Sequence, residues 1–348
     1  MSAAALETPG DYRRFYRDRR VMITGGLGFI GSNLARQLVA LGARVLIVDC
    51  LIPEYGGNLF NIDGIADRVR VNIADVRQQT TMNYLVRDND VIFNLAGQVS
   101  HIDSMQDPYT DLEINCRGQL SILEACRRNN PGVKVVFAGT RQVYGRPDVL
   151  PVSETHLVRP TDVNGINKAA GEYYHLVYNN VFGIRACSLR LTNVYGPRQL
   201  LKHDRQGFIA WFIRQAIEDR EIQIYGDGSQ VRDFVYVDDA ADAFLRAGAA
   251  DECNGMAFNV GGAEAMAHRD LVELLLSVAG TGRYRFVEWP PDKKAIDIGD
   301  FYADSSLLER TVGWRPATRL REGLSRTIDY YRKNLHQYVT TDSPVVTL

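Results

Sequence analysis

Residues 22–50 read "MITGGLGFIGSNLARQLVALGARVLIVDC". An apolar run ends at Thr24. Gly25, Gly28 and Gly31 follow at intervals of three, a helical period continues to about Leu41, and a second β-branched run closes on Asp49. The same stretch also reads GxGxxG from Gly26. Glycine is needed here because the turn is tight and a side chain would keep a pyrophosphate from the first helical turn. There Phe29 and Ile30 lie, and free N–H groups and the dipole favour negative charge. Asp49 stands 18 residues after Gly31. A carboxylate at that strand end accepts from the adenosine ribose diol and repels a 2′-phosphate, which favours NAD(H) over NADP(H). A lone glycine motif says little, but strand, turn, helix, strand and acid in this order specify dinucleotide binding.

Outward from this unit the alternation continues: "RVRVNI", a helix to about Arg87, "VIFNLA", a long helix through "LEINCRGQLSILEACRRN" and "KVVFAG". Asp75 and Val76 follow the third strand, and Leu95, Ala96 and Gly97 follow the fourth, extending the cofactor set. Strand and helix in alternation predict an α/β fold, a Rossmann-type doubly wound parallel sheet covered on both faces. Beyond "IRACSLRLTNVYG" the rhythm loosens, which predicts a smaller C-terminal lobe over the carboxyl ends of the strands. The expected division is a solvated arm over 1–18 and an NAD-binding unit over 19–191, to which 229–260 return. A substrate lobe comprises 192–228 and 261–335, and 336–348 form a tail.

The 348 residues are 45% apolar and 24% charged, with 40 basic against 42 acidic side chains. That balance steers the chain neither to nucleic acid nor to an anionic membrane. Five scattered cysteines without a CxxC pair suggest no metal site and no disulfide framework, and they fit a reducing cytoplasm. "DYRRFYRDRR" lacks the apolar core of a signal peptide, and no apolar run is long enough to span a bilayer.

Six motifs occur in order: "TGGLGFIGS", "NLAGQVSHIDSMQDP", "GTRQVYG", "NGINKAAGE", "RLTNVYGPRQ" and "QVRDFVYVDDAADAF". Over about residues 19–335 the chain resembles the extended short-chain dehydrogenase/reductase family of nucleotide-sugar epimerases and dehydratases, and within it most resembles CDP-tyvelose-type 2-epimerases. The resemblance implies an NAD-dependent epimerase on a nucleotide-diphospho-sugar, with NAD taking a hydride from the sugar ring and returning it. The open alternatives are a dehydratase or oxidoreductase on the same substrate class, and a catalytically inactive binding protein. By position, Thr140 matches the family's active-site Ser/Thr and Lys168 the lysine on the nicotinamide ribose. Gln98, Gln142, Asn193, Arg198, Gln199 and Arg232 match the substrate set. Asn164 falls on the family's YxxxK tyrosine. Lys202 falls where GDP-mannose 3,5-epimerases carry an acid/base lysine, whereas Arg141 and Gln142 stand where 4,6-dehydratases place an Asp-Glu pair. A homodimer through helices near 107–129 and 164–180 is also implied.

An amide has no proton to exchange at useful pH, so Asn164 either hydrogen-bonds a sugar hydroxyl or caps its helix. Oxidation of a carbinol still needs a base. The candidates are His101, Lys202, His203, Tyr144 and Tyr195, of which histidine titrates nearest neutrality. Arg232 suits bidentate diphosphate recognition, or else pairs with a neighbouring acid such as Asp233.

Overall fold

The computed structural model describes residues 12–339. Seven strands, β1 (Arg20–Thr24), β2 (Arg44–Asp49), β3 (Val69–Ile73), β4 (Val91–Asn94), β5 (Lys134–Thr140), β6 (Arg185–Leu191) and β10 (Ala257–Val260), form one sheet. Its order is β10-β6-β5-β4-β1-β2-β3, with every pair parallel. Chain order reverses between β1 and β4, the switch point at which open α/β sheets bind ligands. The central strands are buried on both faces, as continuous runs such as "VIFN" require. One face packs Leu34, Leu38 and Phe244, and the other Met82, Ile122 and Leu123.

The lobe holds two smaller sheets. β7 (Asn193–Tyr195), β9 (Val231–Tyr236) and β11 (Ala265–Ala267) make one, and β8 (Glu221–Tyr225) with β12 (Arg283–Val287) make the other. Their core gathers Ile209, Phe212, Ile222, Leu275 and Leu324. The boundaries differ from those expected in two places. Of 229–260, the strand Val231–Tyr236 belongs to the lobe's three-stranded sheet, whereas 237–260 pack on the NAD-binding unit. Conversely Leu308 and Trp314, expected in the lobe, are buried in the NAD-binding unit's core, where the indole Nε1 donates to Asp239 O at 3.0 Å.

The arm is likewise corrected for 12–18. Tyr16 is fully buried and its hydroxyl donates to Leu245 O at 2.6 Å, so an aromatic anchor outweighs the flanking charges. Residues 1–11 lie outside the described residues. So do 340–348 of the tail, while Tyr338 is buried and donates to Asn61 Oδ1 at 2.7 Å. The long helix expected through 112–129 is divided. Pro108–Leu112 leads into a wide π turn, Glu113–Arg117, and then Gly118–Asn129, with Gly118 N donating to Glu113 O. Such turns mark places where a side chain must be re-aimed. Here Asn115 is turned inward, donating to Gln98 O at 2.8 Å and Asp111 Oδ2 at 3.1 Å.

Candidate active site

A cleft of about 990 Å³ runs from the first turn of the sheet to the lobe. At its first end stands the glycine turn. Gly25 takes φ +68°, and a Cβ on Gly31 would press into the carbonyl oxygen of Gly25 and lie 2.8 Å from Gly26 Cα. Gly28 caps the helix Phe29–Ala40 without any side-chain hydrogen bond, so no protein group covers its first N–H groups. Thr24 Oγ1 accepts from the backbone N–H groups of Leu95 and Ala96, each at 3.1 Å, which ties the loop after β4 to the glycine turn. Asp49 is buried and accepts from Leu27 N at 2.9 Å and Leu51 N at 2.8 Å. Burial raises its carboxyl, against the pull of those two donors. Asp75 is gripped by Arg77 Nε at 3.0 and 2.9 Å, beside Val76 in the cleft wall.

The middle of the cleft is built by the helix Val163–Phe182. Its N-cap is Asp162, whose carboxylate accepts from Gly165 N at 2.7 Å. Asn164 therefore does not cap the helix. It is the second residue of the first turn, buried, with Nδ2 donating to Gln98 O at 2.9 Å and Asp111 Oδ2 at 3.0 Å. Two acceptors on that side fix which end of the amide faces them. Asn167 and Asn115 donate to the same Asp111 carboxylate. Lys168 is buried one turn on, its ammonium donating to Ala138 O at 2.7 Å and standing 4.6 Å over the Phe137 ring. Burial pulls this ammonium down to about 8, opposed by Asp111 and Glu172.

His101 lines the cleft with its side chain 35% exposed, and its Nδ1 lies 3.0 Å from Asp162 Oδ2. The approach is off the N–H axis, a close contact rather than an aligned hydrogen bond. Burial raises the Asp162 carboxyl, but contact with His101 and donors from Gly165 and Gln142 outweigh it and leave the net shift downward.

Thr140, Asn193, Gln199 and Arg232 also line the cleft. Arg232 is buried, with Nη1 donating to Val231 O and Gly299 O and Nη2 3.4 Å from Asp297 Oδ1. Its ion-pair partner is thus Asp297 rather than Asp233.

Four expected residues are not brought into the lining. Gln98 is spent on Ser100 O, Asn115 and Asn164, and Gln142 Nε2 on Asp162 Oδ2 at 2.8 Å. Arg198, at φ +73°, donates to Asn33 Oδ1 at 2.8 Å, and Lys202 reaches Glu54 at 3.8 Å. His203 does not line the cleft either. Among the tyrosines, Tyr144 donates to Asn259 Oδ1 at 2.7 Å and Tyr195 is buried in the lobe core, so neither faces the cleft. Sequence reasoning missed Asp111, Asp162 and the aromatic wall of Trp211, Tyr225 and Trp289. The last had a faint signal in "QIYGDG" and "VEWP", and Asp162 had one as a cap residue type just before the helix, whereas Asp111 had none.

The NAD dependent epimerase/dehydratase family model matches residues 21–261. The chain belongs to this family. Among its relatives, the UDP-glucose 4-epimerase of Mycolicibacterium smegmatis is 34% identical, covering 90% of this chain and 98% of that protein. The CDP-paratose 2-epimerase of Salmonella typhi is 29% identical over 89% and 98%. In structure, the NAD complex of Thermus thermophilus UDP-glucose 4-epimerase superposes with a TM-score of 0.80 at 32% identity, covering 90% of this chain and 99% of that one. Dehydratases of dTDP-glucose match as well. The cofactor of this epimerase/dehydratase family member is NAD, and the uncapped helix start, the glycine wall and Asp49 fit it.

Proposed function

We propose that this chain is an NAD-dependent epimerase acting on a nucleotide-diphospho-sugar through transient oxidation of the ring. One observation carries this reading: a single cleft joins the glycine turn, the His101 and Asp162 pair, and the Arg232 wall. NAD, when bound, supplies reversible hydride acceptance. His101 takes the carbinol proton and returns it, while Asp162 orients the imidazole and stabilises its cation. Lys168 holds the ribose, Thr140 hydrogen-bonds a ring hydroxyl, and Arg232 with Asn193 holds the diphosphate. At the far end Tyr225 and Trp289, ring centroids 5.2 Å apart, offer flat faces for a nucleobase. Elimination of water is disfavoured because Arg141 and Gln142 supply no carboxylic acid where a dehydratase donates its proton.

A second reading, an inactive binding protein, is favoured by Asn164, whose amide is held in a buried network instead of presenting a phenol. The test is to incubate the protein and NAD with UDP-, GDP-, CDP- and dTDP-sugars and look for epimerised product by NMR. Product with wild type, reduced by Asn164→Tyr, supports the epimerase. An inert wild type that gains hydride transfer with Asn164→Tyr supports the lapsed enzyme.

A second copy of this chain is the proposed partner. Ile166, Tyr173, Val177 and Val181 form an exposed apolar stripe on the helix Val163–Phe182, with Tyr109 and Leu112 exposed on the neighbouring Pro108–Leu112 turn. Light scattering of wild type should give twice the monomer mass, and Val177→Glu with Val181→Glu should halve it. Among the described residues no helix is long and apolar enough to cross a membrane.

A further inference from the structure

We propose that Asp111 is the counter-ion of Lys168, a positioning residue whose buried carboxylate holds that ammonium, charged, at the NAD ribose. This rests on the reading of Lys168 as the ribose ligand given above. Asp111 lies on the short helix Pro108–Leu112 and is 0% exposed. Its carboxylate accepts from three amides, Asn115 Nδ2 at 3.1 Å, Asn164 Nδ2 at 3.0 Å and Asn167 Nδ2 at 2.8 Å. Among the described residues no cation is hydrogen-bonded to it. Three neutral donors satisfy its lone pairs but bring no positive charge, and a buried carboxylate without one is unfavourable.

Lys168 has the mirror-image need. It is buried, and what it holds is neutral: the Ala138 carbonyl at 2.7 Å and the Phe137 ring at 4.6 Å. One amide stands between the two charges. The π turn Glu113–Arg117 aims Asn115 inward, so that Nδ2 meets Asp111 while Oδ1 is buried without a hydrogen-bond partner. A Cβ on Gly97 would meet that Oδ1 at 2.8 Å and Lys168 Nζ at 3.3 Å, which places the negative end of the amide on the side of the ammonium.

The other groups around Lys168 are committed or uncharged. Glu172, one turn on in the same helix, is taken by Arg190 at 2.6 Å and by Ser188 Oγ at 2.7 Å. His175 stacks on Phe137 with ring centroids 4.5 Å apart, and burial, opposed by its bond to Gly171 O and reinforced by Lys168, keeps its imidazole neutral, at about 4. Among the described residues Asp111 and Glu172 are the acids whose charge favours the Lys168 cation, Asp111 the more strongly. Asn164, one turn before Lys168, is neutral, so the uncommitted anion comes from outside the helix.

The test follows NAD affinity against pH by calorimetry. In wild type the affinity falls as the ammonium is lost, at about 8. Asp111→Asn should move that fall about one unit towards acid, the low end of the ~1–3 units expected of a nearby opposite charge. The two proteins should then bind NAD alike at about pH 6 and differ severalfold at about pH 8. A variant weakened by the same factor at every pH has lost only structure and overturns the proposal, as does an unshifted curve. A flat wild-type curve removes the ribose reading and the proposal with it, while leaving NAD binding intact. Lys168→Met supplies a second arm in urea denaturation. Asp111→Asn should lower the midpoint less on that background than alone, because no ammonium is then left without its anion. Should the single variant not fold, the double should, and a double variant that is equally unfolded overturns the pairing.

Discussion

The two ends of the cleft are built on opposite plans. At the cofactor end the wall is largely backbone and glycine, and its two carboxylates are already engaged, Asp49 by two backbone N–H groups and Asp75 by Arg77. At the substrate end the wall is polar side chains, several of which keep a buried atom without a partner. Of the twelve buried side-chain atoms without a partner among the described residues, six belong to residues that line the cleft: His101, Arg141, Gln199, Gln215, Gln230 and His268. Native proteins satisfy nearly all buried polar groups, so a cluster of exceptions along a cleft marks where a ligand completes the set. The cofactor end is a shape waiting for any NAD. The substrate end keeps unpaired donors and acceptors that a ligand can complete.

Substitutions at the two ends should therefore fail differently. The largest effect is expected between them, at His101. His101→Gln should lower kcat about 100-fold or more while leaving NAD affinity unchanged, and Lys202→Ala, outside the lining, should leave kcat close to wild type. If Lys202→Ala were the more damaging in steady-state assays, the proton would be handled in the loop after β7 instead.

Next comes shape. Gly31→Ala forces a Cβ against the Gly25 carbonyl, and overpacking of about 1–3 kcal/mol corresponds to as much as about 100-fold in NAD affinity. Gly132→Ala, where a Cβ meets nothing within 4 Å, is the control and should titrate like wild type. Equal NAD binding by Gly31→Ala in calorimetry would break the claim that this end recognises by shape.

Asn164→Ala should cost about tenfold in kcat/KM for one lost neutral hydrogen bond. It should also destabilise the fold by about 1–3 kcal/mol, because one of three amide donors to the buried Asp111 carboxylate is removed. Urea denaturation separates the two losses. An unchanged midpoint with reduced turnover would show that the Asp111 network is not a structural unit.

The smallest expected effect is in pH. The Lys168 ammonium is lowered from 10.5 to about 8, so its charged form is lost as pH rises through about 8 rather than through 10.5. NAD affinity should fall severalfold between about pH 7 and 9.5 as the ribose loses a charged donor. The apo protein's stability has the opposite sign: burial penalises the cation at low pH, and that penalty is relieved as pH rises from about 8 to 10.5. A flat NAD affinity across the range would mean that the lysine does not meet the ribose as a cation.

The sequence-level picture was most complete where physics is local. The turn at Gly25–Gly31 and strands such as "RVLIVD" announce themselves because backbone conformation and periodicity depend on neighbours within a few residues. The reading of Asn164 as a cap failed for a local reason as well, since Asp162, two residues earlier, competes for the same role with a better-placed carboxylate. The buried Tyr16 was hidden inside a run of arginines whose charges dominate any composition-based reading.

What the sequence by itself determined was the dinucleotide end: a parallel α/β sheet, a glycine turn at its switch point and an acid on the second strand, since each requires only short-range patterns in fixed order. Only the tertiary structure decided the chemistry of the other end. Asp111 meets Asn164 across 53 residues of chain, Asp162 meets His101 from the start of another helix, and Arg141 donates to Asn193 across 52. Whether a polar side chain is satisfied depends on every group that packs around it, and that census exists only once the chain is folded.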